Sequence, residues 1–132
     1  MKNEELIKRA SFYICSKEVK GGLIGDVACA LLTESNEIYT GVCASVGSNT
    51  FCAEFNAIGS MISNKEYKIK KIVAVWKDER DDIFVIPPCG NCRQFIYEID
   101  SDNLKTIVVL DKNKEVSLGE LLPLNNWWKK QD

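Results

Sequence analysis

Two short stretches far apart in the chain constrain it more than any other feature: Cys52-Ala53-Glu54 and Pro88-Cys89-Gly90-Asn91-Cys92-Arg93-Gln94. Cys89 and Cys92 form a C-x-x-C, whose two thiolates at a tight turn can bite one metal ion. Alone that pair also suits redox chemistry, which needs no third thiol. Cys52 opens a separate helical pattern, and the C-x-x-C opens another. Both helix starts carry partial positive charge that favours thiolates. Three cysteines on one ion would tie those two helix starts together. The chain has no histidine. That excludes Ser-His-Asp triads, Cys-His dyads and any His-ligated metal.

The rest of the sequence supplies a scaffold for such a site. Apolar residues Leu6, Ile7, Ala10, Tyr13 and Ile14 recur at helical spacing, predicting a helix over 3–18. Gly21-Gly22 begins a loop running to Gly25. Residues 27–33 form a nearly continuous apolar run, expected to be a buried strand, and 38–42 a second strand joined to it by a hairpin. Residues 44–50 read as a small-residue loop delivering the chain to Cys52. Ala53, Ala57, Ile58, Met61 and Ile62 then predict a helix to about Ser63. Residues 72–76 predict a buried strand, 83–86 a short apolar run, and 106–110 a further strand. A helix through Phe95, Ile96 and Ile99 lies between the last two. Ser117 and Glu120 have capping-box spacing before a short helix. The alternation predicts one α/β layered domain over 1–132 with a mixed sheet.

Charge and hydropathy narrow the function. With 17 basic and 19 acidic residues and scattered lysines, the chain shows no basic face for a phosphate backbone. A nucleic-acid partner is therefore not expected. No segment is long and apolar enough to span a bilayer, and the N-terminal residues lack a signal-peptide core. The expectation is a cytoplasmic protein whose six cysteines are thiols or metal ligands.

Three thiolates on Zn2+ leave a fourth position for water, the layout of a catalytic rather than a closed site. Zinc lowers the pKa of that water. Glu54, two positions past a ligand, is placed to take its proton and pass it to a ring nitrogen and then to a leaving amine. A glutamate two residues after the first ligand, followed later by P-C-x-x-C, is the signature of zinc deaminases. The alternative is a non-catalytic zinc-stabilised module with Cys43 as a fourth, closing ligand.

At these residues the chain resembles the cytidine deaminase superfamily. Cys52-Ala53-Glu54 and the stretch from Pro88 to Gln94 are similar to its C-A-E and P-C-G-x-C-R-Q motifs. Val27-Ala28-Cys29-Ala30-Leu31 resembles its V-G-A-A-L strand, and residues 117–123 its tail. The spacing from Gly41 to Cys52, and a tryptophan at 128, resemble the blasticidin-S deaminase branch. The resemblance implies a three-layer α/β/α fold with a five-stranded mixed sheet. It also implies zinc on Cys52, Cys89 and Cys92, proton transfer by Glu54, and a homo-oligomer, by resemblance a tetramer. The expected reaction converts a free cytosine nucleoside, or a cytosine-nucleoside antibiotic, to its uracil form with release of ammonia.

Two departures bear on the substrate. Where the superfamily reads the ribose with an Asn and a Glu, this chain has Cys43 and Ser45, so the usual sugar clamp is missing and these two residues are expected to bind the substrate and set its specificity, Cys43 packing in the core being the alternative. Cytidine, deoxycytidine, blasticidin S and another aminopyrimidine all stay open. Directly after C-A-E many relatives carry Arg; here Phe55 stands there, leaving Arg93 as the supporting cation near the thiolates. Backbone groups near Ala53 and Cys89 are expected to hold the ring. Phe51 either contacts the ring or packs in the core. Trp127 and Trp128 either stack on a base or pack on a neighbouring subunit.

Overall fold

In the computed structural model, which describes residues 1–126 and 128–132, an eight-stranded sheet lies between helices on both faces. Helix α1 (Asn3–Phe12) precedes strands β1 (Lys17–Val19), β2 (Gly22–Thr33), β3 (Ile38–Val46) and β4 (Asn49–Phe51). Then come α2 (Ala53–Ser63), β5 (Ile69–Lys77), β6 (Ile83–Ile86) and α3 (Gly90–Ile99). A 3-10 turn (Ser101–Lys105), β7 (Ile107–Asp111), β8 (Lys114–Ser117) and α4 (Leu118–Leu121) complete the described order. The strand order is β4-β3-β2-β5-β7-β8, with β1 added to β2 and β6 to β5. Only β5 and β7 run parallel among these pairs, because α3 carries the chain across the sheet between them.

The central strand explains the continuous apolar run. Ala28 and Ala30 of β2 pack with Leu6 and Ala10 of α1, while Cys29 and Leu31 turn to Ala57, Ile58, Met61 and Ile96 of α2 and α3. Both faces of β2 are covered, so its residues need no polar alternation. The expected three layers and mixed sheet are present.

The sheet is wider than the five strands expected. β1, β4 and β8 are three or four residues long and largely exposed, so they carry no alternating hydrophobic signal. The stretch 21–25, expected as loop, belongs to the β1–β2 hairpin and the start of β2. Likewise 44–50 is the end of β3 and its tight turn into β4. The first helix stops at Phe12 rather than 18; Phe12 and Tyr13 are exposed and their rings meet edge to face. Ser117 caps α4 as expected, its Oγ accepting from the Glu120 N–H at 3.2 Å.

Gly41 of β3 sets how closely α2 rests on the sheet. A Cβ there would lie 2.4 Å from the Ala57 nitrogen and 2.7 Å from Asn56 Cβ. The Asn56 side-chain amide donates to the Val42 carbonyl at 3.1 Å, pinning the same contact. Gly41→Ala is therefore expected to lift α2 and destabilise the protein by about 1–3 kcal/mol, the usual cost of overpacking. Urea denaturation measures this, and an unchanged midpoint would show that α2 is not seated on Gly41. No helix among the described residues is long and apolar enough to cross a membrane.

Candidate metal and catalytic centre

The two helix starts meet. β4, held against β3 through Ala44↔Phe51, delivers Cys52 as the N-cap of α2. Beyond β6, Pro87-Pro88 leads to Cys89 as the N-cap of α3, with Cys92 one turn inside it. The Cys89 Sγ accepts from the Cys92 N–H at 3.5 Å, the usual work of an N-cap side chain. The sulfurs of Cys52, Cys89 and Cys92 all lie within 4.8 Å of one another. Cys52 to Cys89 is 3.8 Å and Cys89 to Cys92 is 3.5 Å. A tetrahedral zinc with Zn–S bonds of about 2.3 Å holds its sulfurs about 3.8 Å apart, so the spacing suits that ion. Cys92 is buried at the floor, Cys52 is half-buried and Cys89 is exposed, which leaves the cluster open on one side.

The electrostatics of the bare thiols point the same way. Burial pushes the Cys92 thiol far up, helped by the negative charge of Glu54 and by the other two sulfurs. Burial also raises Cys52, against a lowering hydrogen bond from Cys92. At Cys89 burial works upward too. Hydrogen bonds from the Cys92 N–H, the Cys92 and Cys52 thiols and the Asn91 N–H outweigh it, and its thiol falls below the ordinary value. Three crowded thiols beside a carboxyl cannot all ionise by themselves; a cation among them removes that conflict. The donor set of three sulfurs matches zinc.

Glu54 is 4 % exposed, and burial raises its carboxyl above the usual carboxylate range. After burial, its charge adds to the upward push on the thiols of Cys92, Cys52 and Cys29. A void too small for water lies beside it, walled by Ala74, Ile86 and Pro88. A buried carboxyl with a raised pKa holds and returns a proton more readily than an exposed one.

The other expected residues divide. Ala53 is fully buried next to Cys52, and Phe51 is 38 % exposed at the end of β4. Cys43 does not join the three sulfurs; its thiol donates to Asp26 Oδ1 at 3.0 Å. The closing fourth ligand of the non-catalytic alternative is thus turned elsewhere. Ser45 is exposed and lines an open groove with Asp26. Arg93 supports the site through backbone: its Nε donates to the Pro88 carbonyl at 2.8 Å and its Nη1 to the Leu121 carbonyl at 3.3 Å. The turn before Cys89 is so tied to the end of α4. Trp128 is 86 % exposed, its indole N–H donating to Asn126 at 3.0 Å. Trp127 lies outside the described residues.

Two contacts of the structure were not foreseen from the sequence. Phe55 meets Phe95 with ring centroids 4.6 Å apart, joining the two ligand-bearing helices by an apolar contact. Asp26, inside an apolar-looking strand start, is the partner of Cys43.

Comparison with known proteins agrees with this geometry. A family model described as the cytidine and deoxycytidylate deaminase zinc-binding region matches residues 1–110. The chain is 38% identical over 104 residues to a blasticidin-S deaminase of Bacillus cereus, covering 74% of each. It is 41% identical over 99 residues to a probable cytidine deaminase of Dictyostelium discoideum, covering 74% of this chain and 65% of that one. Its fold is similar to that of a solved cytidine deaminase from Mycobacterium tuberculosis, with a TM-score of 0.75 at 23% identity over 95% of this chain and 97% of that one. A cytidine deaminase from Burkholderia pseudomallei gives a TM-score of 0.72 at 23% identity over 96% of this chain and 100% of that one.

Proposed function

Because this chain belongs to the cytidine and deoxycytidylate deaminase family, we propose that it is a hydrolase replacing the exocyclic amine of a cytosine nucleoside, or of a cytosine-nucleoside antibiotic such as blasticidin S, by a carbonyl oxygen. Water is consumed and ammonia leaves. The observation that carries the reading is the buried carboxyl of Glu54 beside three sulfurs at zinc-ligand spacing. Cys52, Cys89 and Cys92 would hold the zinc, which when bound lowers the pKa of water toward neutrality.

The chain's own groups account for the remaining work. Glu54 accepts a proton from the attacking water and gives it to the ring nitrogen next to the amine-bearing carbon. It then carries a second proton to the departing amine, which leaves as ammonia. Its dry surroundings favour the neutral acid between transfers. Backbone groups near Ala53 and Cys89, fixed at two helix starts, hold the pyrimidine ring. The near-even charge balance suits free nucleosides rather than a nucleic-acid strand. We read residues 1–132 as one domain working as a cytoplasmic homo-oligomer, in keeping with exposed apolar groups such as Phe12 and Phe84.

The test is a panel of cytidine, deoxycytidine and blasticidin S given to the zinc-loaded protein, with ammonia release and the ultraviolet change of the ring followed together. Turnover of at least one is expected. Inactivity on all three, with zinc bound, would overturn the assignment to cytosine nucleosides.

A further inference from the structure

One side chain holds the backbone that presents Cys89. Of the three sulfur residues Cys89 is the exposed one, at the N-cap of α3. It follows Pro87-Pro88, whose rings leave no backbone N–H to fix the turn. Such a turn can still offer carbonyls, and Arg93 takes two in succession. Its backbone N–H donates to the Cys89 carbonyl at 2.9 Å, and its Nε to the Pro88 carbonyl at 2.8 Å.

The same guanidinium reaches a fixed point outside its own helix. Its Nη1 donates to the Leu121 carbonyl at 3.3 Å, at the end of α4. That short helix is firmly seated. Leu118 is fully buried in the core cluster that contains Ala53 and Ile96, and its N–H donates to the Thr106 carbonyl at 2.8 Å. The last carbonyls of a helix have no partner within it, so Leu121 has an acceptor to offer. A guanidinium serves two separate acceptors from one rigid plane, which an ammonium cannot do.

Helix preference does not explain a cation here. Arg93 is the fourth residue of α3, near the end where the helix dipole favours acidic groups. It is half-buried, and among the described residues it forms no ion pair. Its hydrogen bonds to backbone carbonyls are what place it.

We propose that Arg93 is a positioning residue for the metal centre: it clamps the Pro88-Cys89 turn to the end of α4 and so keeps the Cys89 sulfur in register with those of Cys52 and Cys92. It acts through backbone geometry and not as a counter-charge to the thiolates. The proposal rests on the three-cysteine zinc site of the deaminase reading and is independent of the substrate.

Two variants of the full-length protein separate clamp from charge. Arg93→Lys keeps the charge and loses the fork, while Arg93→Met keeps the apolar stem and loses both. Zinc affinity is read by competition with a chromophoric chelator, and the ligand set by the sulfur-to-cobalt absorption band of the cobalt-substituted protein. Both variants are expected to bind zinc about 10–100-fold more weakly than wild type, the range for an outer-shell partner, and to change the cobalt band alike. Gln94→Ala is the control. That side chain donates to the Asn125 carbonyl at 3.4 Å, a tie to the same C-terminal segment that leaves the carbonyls of Pro88 and Cys89 alone. It is expected to hold zinc as the wild type does.

Wild-type affinity and spectrum in Arg93→Lys would show that the charge is what counts and overturn the proposal. An equal loss in Gln94→Ala would overturn it too, by moving the effect to the segment as a whole. Far-ultraviolet circular dichroism of the metal-free variants completes the test, since an unfolded Arg93→Lys would make Arg93 a residue of the fold and not of the metal centre. None of these readouts involves a substrate. A protein whose hold on zinc depends on Arg93 but which deaminates nothing loses the deaminase reading and keeps the clamp.

Discussion

Zinc-loaded Glu54→Gln protein is expected to keep one zinc per chain while its turnover falls by about 10²–10⁴-fold, the range supplied by a positioned general acid–base. Gln has the shape of Glu but cannot accept and return a proton at neutral pH. Glu54 is the carboxyl whose charge acts on both Cys52 and Cys92. Metal retention follows from the same electrostatics. Burial is the main force pushing the Cys52 and Cys92 thiols up and the Glu54 charge adds to it, so removing that charge does not weaken a thiolate site. Zinc content by atomic absorption, beside ammonia release on the best substrate of the panel, separates the two effects. Full activity in Glu54→Gln would sink the assigned role. Loss of zinc with loss of activity would instead make Glu54 a part of the metal site.

The site was largely legible in the sequence because its ligands lie in local motifs. Cys89 and Cys92 are one turn apart, Glu54 follows Cys52 by two, and each motif opens a helix, so spacing carried each motif's local geometry and the resemblance carried their meeting. The layers were legible for a similar reason, since burial on both faces left β2 with an unbroken apolar run. What escaped depends on neighbours distant in sequence. β1, β4 and β8 exist because longer strands offer them hydrogen-bonding edges, and their own residues say little. Arg93 reads as a cation near thiolates, yet the fold aims it at two carbonyls, one of them at the end of α4. Phe55 reads as a lost charge, and only the meeting of α2 with α3 makes it half of an aromatic pair. Asp26 is the sharpest case: residues 25–27 stand opposite Cys43 alone, and that bulge brings its carboxyl to the Cys43 thiol.

Cys92→Ser carries the second large effect, because it removes the ligand at the floor of the cluster. Loss of an outer-shell partner typically costs 10–100-fold in metal affinity, so loss of a ligand itself is expected to cost more than about 100-fold. Serine cannot replace the thiolate, since its hydroxyl does not ionise near neutral pH and is a poor match for a sulfur-rich site. Cys43→Ser is the companion variant. Its thiol is engaged with Asp26 and stands outside the three-sulfur group, so zinc affinity should stay within about threefold of wild type. The pair separates an open catalytic centre from a closed four-cysteine knot, as competition with a chromophoric chelator measures directly. The knot also makes a different statement about folding. A protein built on its metal unfolds when the metal is stripped. Here two apolar clusters cover both faces of β2 and include α1, β5 and β7. The chelated protein is therefore expected to stay folded by far-ultraviolet circular dichroism, melting lower only by the free energy of zinc binding. Cooperative unfolding on chelation, together with zinc loss in Cys43→Ser, would reverse the choice between the two architectures.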